Sequence, residues 1–226
     1  MDLKTHYKNL YDTSIAKISR GEYVIDNLID SDQDQRFGIT LLLRPSEEIK
    51  NNIQRFLSQL KHIEPEQYYY DNSDIHITVL SIISCYNGFQ INDINSNDYI
   101  KIIEQSLVKT PNLEITFQGL TASPSCIMLQ GFTNNDTLNT VRDNLRKNFK
   151  NTTLQQSIDQ RYAIQTAHST VVRFRKKLNN KTGFIKFIET HKNDFFGSFK
   201  PKTLELVHND WYQRKQYVKK LATFNL

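Results

Sequence analysis

Two short segments of the sequence each place a threonine two residues after a histidine. They are residues 76–79, His-Ile-Thr-Val, and residues 168–171, His-Ser-Thr-Val, and the β-branched residues around them predict β-strands. Side chains two residues apart in a strand point to the same face, so each segment presents an imidazole beside a hydroxyl. Two such pairs facing each other across a cleft would give one phosphate group an acid, a base and two hydroxyl donors. The candidate catalytic residues are therefore His76, Thr78, His168 and Thr170.

The first segment has one polar and one apolar face. His76 and Thr78 share a face of the predicted strand, whereas Ile75, Ile77 and Val79 share the other. The apolar face needs a core, so we expect the histidine face to look into a groove.

A pair of histidines can divide one acid–base reaction between them. The imidazole pKa is near 6.5, so a neutral ring and a protonated ring can coexist. The neutral ring would remove a proton from water and the cationic ring would donate one to the leaving oxygen, each transfer giving ~10²–10⁴ in rate. The threonine hydroxyls would donate to the non-bridging oxygens, where negative charge grows. This chemistry suits hydrolysis of a phosphodiester, above all a ribose 2′,3′-cyclic phosphate, without a metal ion.

The composition indicates a single globular domain with a polar surface. The chain has 226 residues, of which 38% are hydrophobic and 23% charged, with a formal net charge of +5. No apolar run approaches the roughly 20 residues of a membrane span, and the first residues lack the apolar stretch of a signal peptide. We expect a cytoplasmic, monomeric protein that binds no membrane. Cys85 and Cys126 are expected to be free, buried thiols rather than a disulfide.

The order of predicted elements repeats once along the chain. Periodicity and turn residues predict strands at 37–43, 76–83, 113–120, 126–132, 163–175, 202–208 and 217–225, and helices after Ser46 and at 97–109, 134–149 and 182–190. The order strand, helix, strand with histidine thus occurs twice. No proline- or glycine-rich linker separates the halves, so we expect a single bilobed, pseudo-symmetric α+β domain.

The paired His-x-Thr-apolar segments resemble the signature of the two-histidine (2H) phosphoesterase superfamily. That superfamily includes 2′-5′ RNA ligase-like proteins and 2′,3′-cyclic nucleotide phosphodiesterases, and the element order is compatible with it from residue 37 to the end. The resemblance implies two antiparallel sheets that line a central cleft, with helices on the outside. It also implies a nucleotide or RNA phosphodiester as the substrate. We therefore divide the chain into an N-terminal helical extension, residues 1–36, and a bilobed domain, residues 37–226.

Four further residues are candidates for substrate binding: Arg173, Tyr68, Tyr70 and Trp211. In the ligase-like branch of the superfamily the second motif often continues to an arginine, and Arg173 stands at that place. Strand parity puts Arg173 on the face opposite His168, so a surface ion pair and a phosphate contact both remain open. The three aromatic residues are candidates because a nucleobase needs a stacking surface.

Two other functions fit the same residues. Asp74, His76 and His168 together could bind a divalent metal ion for a metal-dependent hydrolase. A non-catalytic nucleotide- or RNA-binding module would keep the groove without turnover, and the basic run 173–181 suits it. We expect no cofactor, since none of the seven glycines is spaced as G-x-G to cradle a dinucleotide phosphate.

Overall fold

Two antiparallel sheets form the centre of the protein. The computed structural model of the chain describes residues 2–107 and 113–226. Its helices are α1 Leu3–Arg20, α2 Glu47–Ile63, α3 Ser96–Ser106, α4 Thr137–Lys150 and α5 Lys181–His191. Its strands are β1 Arg36–Leu43, β2 Tyr68–Tyr69, β3 Ile77–Asn87, β4 Ile115–Ser123, β5 Cys126–Thr133, β6 Ser169–Arg173, β7 Phe195–Phe199, β8 Thr203–Asp210 and β9 Lys219–Asn225. The helix predicted at 97–109 is observed as α3, and positions 108 and 109 of that prediction lie outside the described residues.

The two sheets have corresponding strand orders. One sheet runs β3-β1-β8-β9 and the other β2-β6-β5-β4-β7, with every pair antiparallel. In each sheet, the strand that follows a motif histidine pairs with an earlier strand, and one α-helix lies between the two in the sequence. The pairs are β3 with β1, which are separated by α2, and β6 with β5, which are separated by α4. The predicted α+β architecture of two antiparallel sheets is confirmed.

Helix α2 illustrates how local sequence sets an element. The Ser46 hydroxyl accepts a hydrogen bond from the Ile49 amide, and two glutamates in the first turn favour the positive end of the helix dipole. Its buried apolar residues recur at helical spacing: Ile49, Ile53, Phe56, Leu57 and Leu60. They pack the helix onto one side of the fold, where α2 meets α5 and β7.

Helix α1 is held directly against the second sheet. It packs on β4 and α5, and the Thr121 hydroxyl of β4 donates to the Tyr7 carbonyl at 3.1 Å. The Tyr7 hydroxyl donates to the Gly131 carbonyl at 3.1 Å and accepts from the Gly131 amide at 3.2 Å. The helical character predicted for the first 36 residues is thus observed over Leu3–Arg20.

Each motif histidine lies one residue before its strand rather than inside it. β3 begins at Ile77 and β6 at Ser169. The strand predicted at 163–175 is therefore shorter than expected, and residues 151–168 form neither helix nor strand. The physical reason is that side chains bind the main chain here in place of a neighbouring strand. The guanidinium of Arg146 donates to the Ile164 carbonyl at 2.9 Å, and that of Arg142 donates to the Thr166 carbonyl at 2.8 Å.

A β-bulge follows the second motif threonine. The adjacent residues Ile127 and Met128 of β5 pair with Val172 and Thr170 of β6, which leaves Val171 as the extra residue. A bulge of this kind shifts the alternation of side chains beyond it by one residue.

The first motif has the same irregularity. Leu41 and Leu42 of β1 pair with Leu80 and Thr78 of β3, which leaves Val79 as the extra residue. Both bulges therefore fall on the β-branched residue that closes the motif.

Two other expectations concern membrane spans and cysteines. Across the part of the chain that the structure describes, no helix combines the length and apolar character needed to cross a membrane. Cys85 and Cys126 are both buried and both free, which confirms the prediction for these two thiols.

Candidate active site

The two His-x-Thr pairs meet in one cavity. A cavity of about 650 Å³ is lined by both motif histidines and both motif threonines, together with residues from both sheets. The hydroxyls of Thr78 and Thr170 make no hydrogen bond to any described residue, so they remain available to a ligand. The structure thus brings all four candidate catalytic residues together: His76, Thr78, His168 and Thr170.

His76 is held by a main-chain carbonyl. Its Nδ1 lies 2.7 Å from the Asp74 carbonyl oxygen. A carbonyl only accepts hydrogen bonds, so Nδ1 carries the proton and Nε2 is left free for chemistry. Burial, with a smaller effect from the charges of Arg44 and Arg173, lowers the pKa of His76 to about 4, although the bond to the carbonyl opposes this shift.

The Asp74 carboxylate does not orient the imidazole. Asp74 Oδ1 accepts hydrogen bonds from the Ser73 hydroxyl at 2.7 Å and from the Lys215 amide at 3.0 Å. Burial raises the pKa of this carboxyl group. Within residues 2–107 and 113–226, no three His, Cys, Asp or Glu side chains are grouped closely enough to bind a metal ion. The ligand set considered above, of Asp74 with His76 and His168, is therefore not assembled.

His168 has a different partner. Its Nδ1 lies 2.6 Å from the Thr166 hydroxyl, which can donate or accept. Burial, together with the positive charges of Arg142 and Arg173, lowers the pKa of His168 to about 4. The surroundings of His168 therefore oppose a second positive charge, and no carbonyl offsets them.

A buried arginine ties the two motifs together. Arg142 of α4 is 0% exposed, and its guanidinium donates to the carbonyls of Val79 at 2.9 Å, Thr78 at 3.0 Å and Thr166 at 2.8 Å. A further bond links the segments directly, because the Ser169 hydroxyl donates to the His76 carbonyl at 2.7 Å. Burial lowers the pKa of Arg142 to about 10, so the group remains cationic at neutral pH.

Arg173 lines the cavity, contrary to strand parity. The bulge at Val171 inverts the alternation, which puts Arg173 on the same face as Thr170. Its Nε donates to the Tyr70 hydroxyl at 2.9 Å. The ion pairs of the described arginines do not include Arg142, Arg161 or Arg173. Arg161 and Arg173 thus line this cavity without a carboxylate partner, and Arg142 lies buried behind the motifs, which favours an anionic ligand.

The three aromatic candidates differ in position. Trp211 lines the cavity and is partly exposed, whereas Tyr70 lines it but is only 1% exposed. Tyr68 is not part of the wall. It packs with its ring centre 5.2 Å from that of Tyr70 and 5.6 Å from that of Tyr212. Of the three, only Trp211 offers an accessible ring in the cavity.

Sequence reasoning missed most of the cavity wall, including Arg161, Tyr162, Asn209 and Gln213. Arg161 and Tyr162 come from the segment 151–168, Asn209 lies near the end of β8, and Gln213 lies in the connection from β8 to β9. The Arg161 guanidinium carbon lies 4.3 Å from the centre of the Trp211 ring. Nothing in residue type or spacing singles these positions out, because only the tertiary fold brings them to the motifs.

Comparisons with known proteins agree on the fold. No family model and no curated protein matches the sequence. Among solved structures, TT0787 of Thermus thermophilus matches with a TM-score of 0.58 and 11% identity, covering 83% of this chain and 97% of that one. A structure described as a phosphoesterase matches with a TM-score of 0.58 and 12% identity, covering 85% and 98%.

A third match is Escherichia coli LigT in complex with 3′-AMP. It has a TM-score of 0.56 and 13% identity, and the alignment covers 85% of this chain and 98% of LigT. Other matching structures hold LigT with phosphate, ATP or NADP+. At these identities the likeness establishes the fold alone. The chain therefore has the fold that LigT and the structure described as a phosphoesterase share.

Proposed function

We propose that the protein is a metal-independent phosphodiesterase that opens 2′,3′-cyclic or 2′-5′ ribose phosphodiesters of RNA ends or small nucleotides. The observation that carries the proposal is the meeting of both His-x-Thr pairs in one cavity of about 650 Å³. Small-molecule sites fall in the range of about 300–1,000 Å³, so a nucleotide fits this volume. The guanidinium of Arg173 bonds a tyrosine hydroxyl rather than a carboxylate, so it adds positive charge where a phosphate would lie.

In the proposed reaction, water attacks the phosphorus of a cyclic diester while neutral His168 takes the proton of the water. The bond from phosphorus to one ribose oxygen breaks, and the cationic form of His76 donates the proton on its Nε2 to that oxygen. The hydroxyls of Thr78 and Thr170 donate to the non-bridging oxygens. Proton exchange with solvent then returns His168 to its neutral form and His76 to its cationic form.

The division of roles follows from the partners of the two rings. The Asp74 carbonyl stabilises a protonated His76, because the carbonyl accepts a stronger hydrogen bond from the cationic ring than from the neutral ring. Two arginine charges act on each ring, but Nδ1 of His168 bonds the Thr166 hydroxyl, which can donate or accept and so does not favour the cation in the same way. We assign His76 as the acid and His168 as the base on these grounds.

Substitution of each histidine tests the proposal. We expect His76→Asn and His168→Asn each to lower kcat on a 2′,3′-cyclic nucleotide by about 10²–10⁴-fold, because each removes one proton transfer. Circular dichroism should show an unchanged fold. His62→Asn is the matched control, since His62 is an exposed histidine outside the cavity. Full activity in either motif variant would refute the mechanism.

Chelation and binding separate the alternatives. With EDTA present, turnover should continue, because imidazoles, hydroxyls and guanidinium groups supply the proposed chemistry. Loss of turnover that a divalent ion restores would instead support a metal-dependent hydrolase. Nucleotide binding without cleavage of any diester would support the non-catalytic module.

A further inference from the structure

The end of β8 and the connection that follows it carry two buried side-chain amides with unpaired oxygens. Asn209 is 2% exposed and Gln213 is 4% exposed, and both line the cavity on either side of Trp211. Neither Asn209 Oδ1 nor Gln213 Oε1 has a hydrogen-bond partner among the described residues. Buried polar atoms are nearly always paired in folded proteins, so two orphans beside one cavity indicate a partner that is supplied by a ligand.

The orientation of the Asn209 amide is fixed. Its Nδ2 donates to the Asp210 carbonyl at 2.8 Å, which leaves the oxygen as the unpaired end. The Gln213 side chain bonds to no described residue, and its backbone has a φ of 62°, in the left-handed region that a non-glycine residue rarely adopts. Strained residues of this kind concentrate at ligand sites. Both amides thus present acceptors, and a complementary ligand must present N–H or O–H donors.

Planar groups lie next to these acceptors. Trp211 is within 4.3 Å of the Arg161 guanidinium carbon and 5.9 Å of the Arg173 guanidinium carbon, measured to the ring centre. Indole rings and guanidinium planes are the surfaces on which nucleobases stack. Arg173 also lies on the same face of β6 as the motif threonine Thr170. Trp211 is therefore next to the place where the phosphate would bind.

We propose that Asn209, Trp211 and Gln213 form a nucleobase subsite that selects bases carrying an exocyclic amino group. The inference rests on the proposed function, because it places the base of the same nucleotide whose phosphate the histidines would act on. Adenine and cytosine offer an amino group where hypoxanthine and uracil offer a carbonyl. Carboxamide oxygens accept from the former and meet a second acceptor in the latter, so the site discriminates between members of each pair.

The test compares pairs of substrates whose bases differ only in having an exocyclic amino group or a carbonyl group at the same position. We expect kcat/KM for cytidine 2′,3′-cyclic phosphate to exceed that for uridine 2′,3′-cyclic phosphate by about tenfold, and adenosine to exceed inosine similarly, as one hydrogen bond to a buried acceptor allows. Equal rates within each pair would overturn the subsite.

Substitution at Gln213 assigns the preference to this residue. Gln213→Met keeps the length of the side chain and removes the amide, so the amino-to-carbonyl ratio should fall to about one. The thermal midpoint should not fall, because the variant loses an unpaired buried group rather than a bond. Gln216→Met is the matched control, since Gln216 is exposed in the same connection and does not line the cavity, and it should keep the ratio. Should Gln213→Met fail to fold, Gln213→Asn tests the same point, because asparagine tolerates the left-handed backbone and its shorter side chain withdraws the amide.

The two proposals fail separately. If the wild-type protein turns over no diester, the proposed function fails, and the dissociation constants of cytidine and uridine 3′-monophosphate, measured by calorimetry, then test the subsite. The subsite predicts about tenfold tighter binding of the cytidine compound and loss of that difference in Gln213→Met. An unchanged preference in that variant, in turnover or in binding, overturns the assignment.

Discussion

His76 bonds a main-chain carbonyl and His168 bonds a hydroxyl, while two arginine charges act on each ring. Burial nevertheless lowers the pKa of both rings to about 4, so in the free protein both are neutral at pH 7. The proposed reaction needs one proton on the pair. A bound phosphate diester would favour that proton, because its negative charge raises the pKa of a neighbouring imidazole.

The pH dependence of turnover follows from these shifts. Since kcat/KM reports the free enzyme, we expect it to fall by about tenfold per pH unit between pH 5 and pH 8, as the singly protonated pair disappears above its pKa. The profile of kcat should lie at higher pH than that of kcat/KM. Initial rates on a cyclic nucleotide at constant ionic strength measure both. A kcat/KM profile that stays flat up to pH 7 would contradict the assignment of both histidines as buried and neutral.

At the scale of elements, two bulges and one buried arginine position the site. The bulges at Val79 and Val171 follow the motif threonines. Arg142 of α4 binds two main-chain carbonyls of the first motif and that of Thr166, two residues before the second motif. A guanidinium suits this role because its fork of N–H groups serves several acceptors at once. The helix thereby sets the spacing of the two motifs.

Removal of this arginine should therefore affect stability and rate together. Arg142→Met leaves three buried carbonyls without their donor, and we expect the free energy of unfolding to fall by about 3–5 kcal/mol. Arg142→Lys keeps the charge but cannot bridge both segments, so kcat should fall even where the protein stays folded. Urea denaturation and initial rates are the measurements. Lys147→Met, an exposed change on the same helix, should alter stability by less than about 0.5 kcal/mol.

Local sequence patterns predicted the helices and strands that are marked by periodicity, alternation or turn residues within their own sequence. The capped helix α2, the β4–β5 hairpin and the outward face of His76 and Thr78 needed only alternation, periodicity and turn residues. Arg173 was placed on the wrong face, because the bulge at Val171 depends on pairing with β5 and leaves no mark in the sequence. The edge strand β7 was missed for a similar reason, since its pairing with β4 rather than its own pattern defines it.

In the candidate site, too, the sequence predicted the residues of the repeated motif but not those that only the tertiary fold brings to the cavity. Duplicated motifs drew attention to four residues, and all four line the cavity. Tyr68 was a stacking candidate by proximity in sequence, yet it packs against Tyr70 and Tyr212 outside the cavity wall. Unpaired amides such as that of Gln213 are visible only once every neighbour has been placed.

For the whole molecule, the cavity has more positive than negative charge on its walls. Asp159 is the one acidic residue among the described residues that line it, and it forms an ion pair with Arg146. Acidification adds to this imbalance by protonating the two histidines. The folded state binds those protons only near pH 4, whereas the unfolded chain binds them near pH 6.5.

Stability should consequently fall as the pH is lowered from about 6.5 to about 4, because over that range the unfolded state binds more protons. We expect the wild-type protein to lose about 5 kcal/mol more than the His76→Asn/His168→Asn double variant between pH 7 and pH 4.5, since asparagine does not titrate. Urea denaturation at a series of pH values measures the difference. Parallel pH curves for the two proteins would show that the rings are not buried as neutral groups.

Strand β1 pairs with β3 on one side and with β8, from near the other end of the chain, on its other side. A nascent polypeptide emerging from the ribosome completes the first pairing early, but β8 follows only after most of the chain has been translated. Until then the outer edge of β1 exposes unpaired main-chain N–H and C=O groups, which other strands can join. Refolding of the denatured protein must also wait for this long-range pairing, so the slowest folding event and the greatest exposure to self-association coincide at one strand edge.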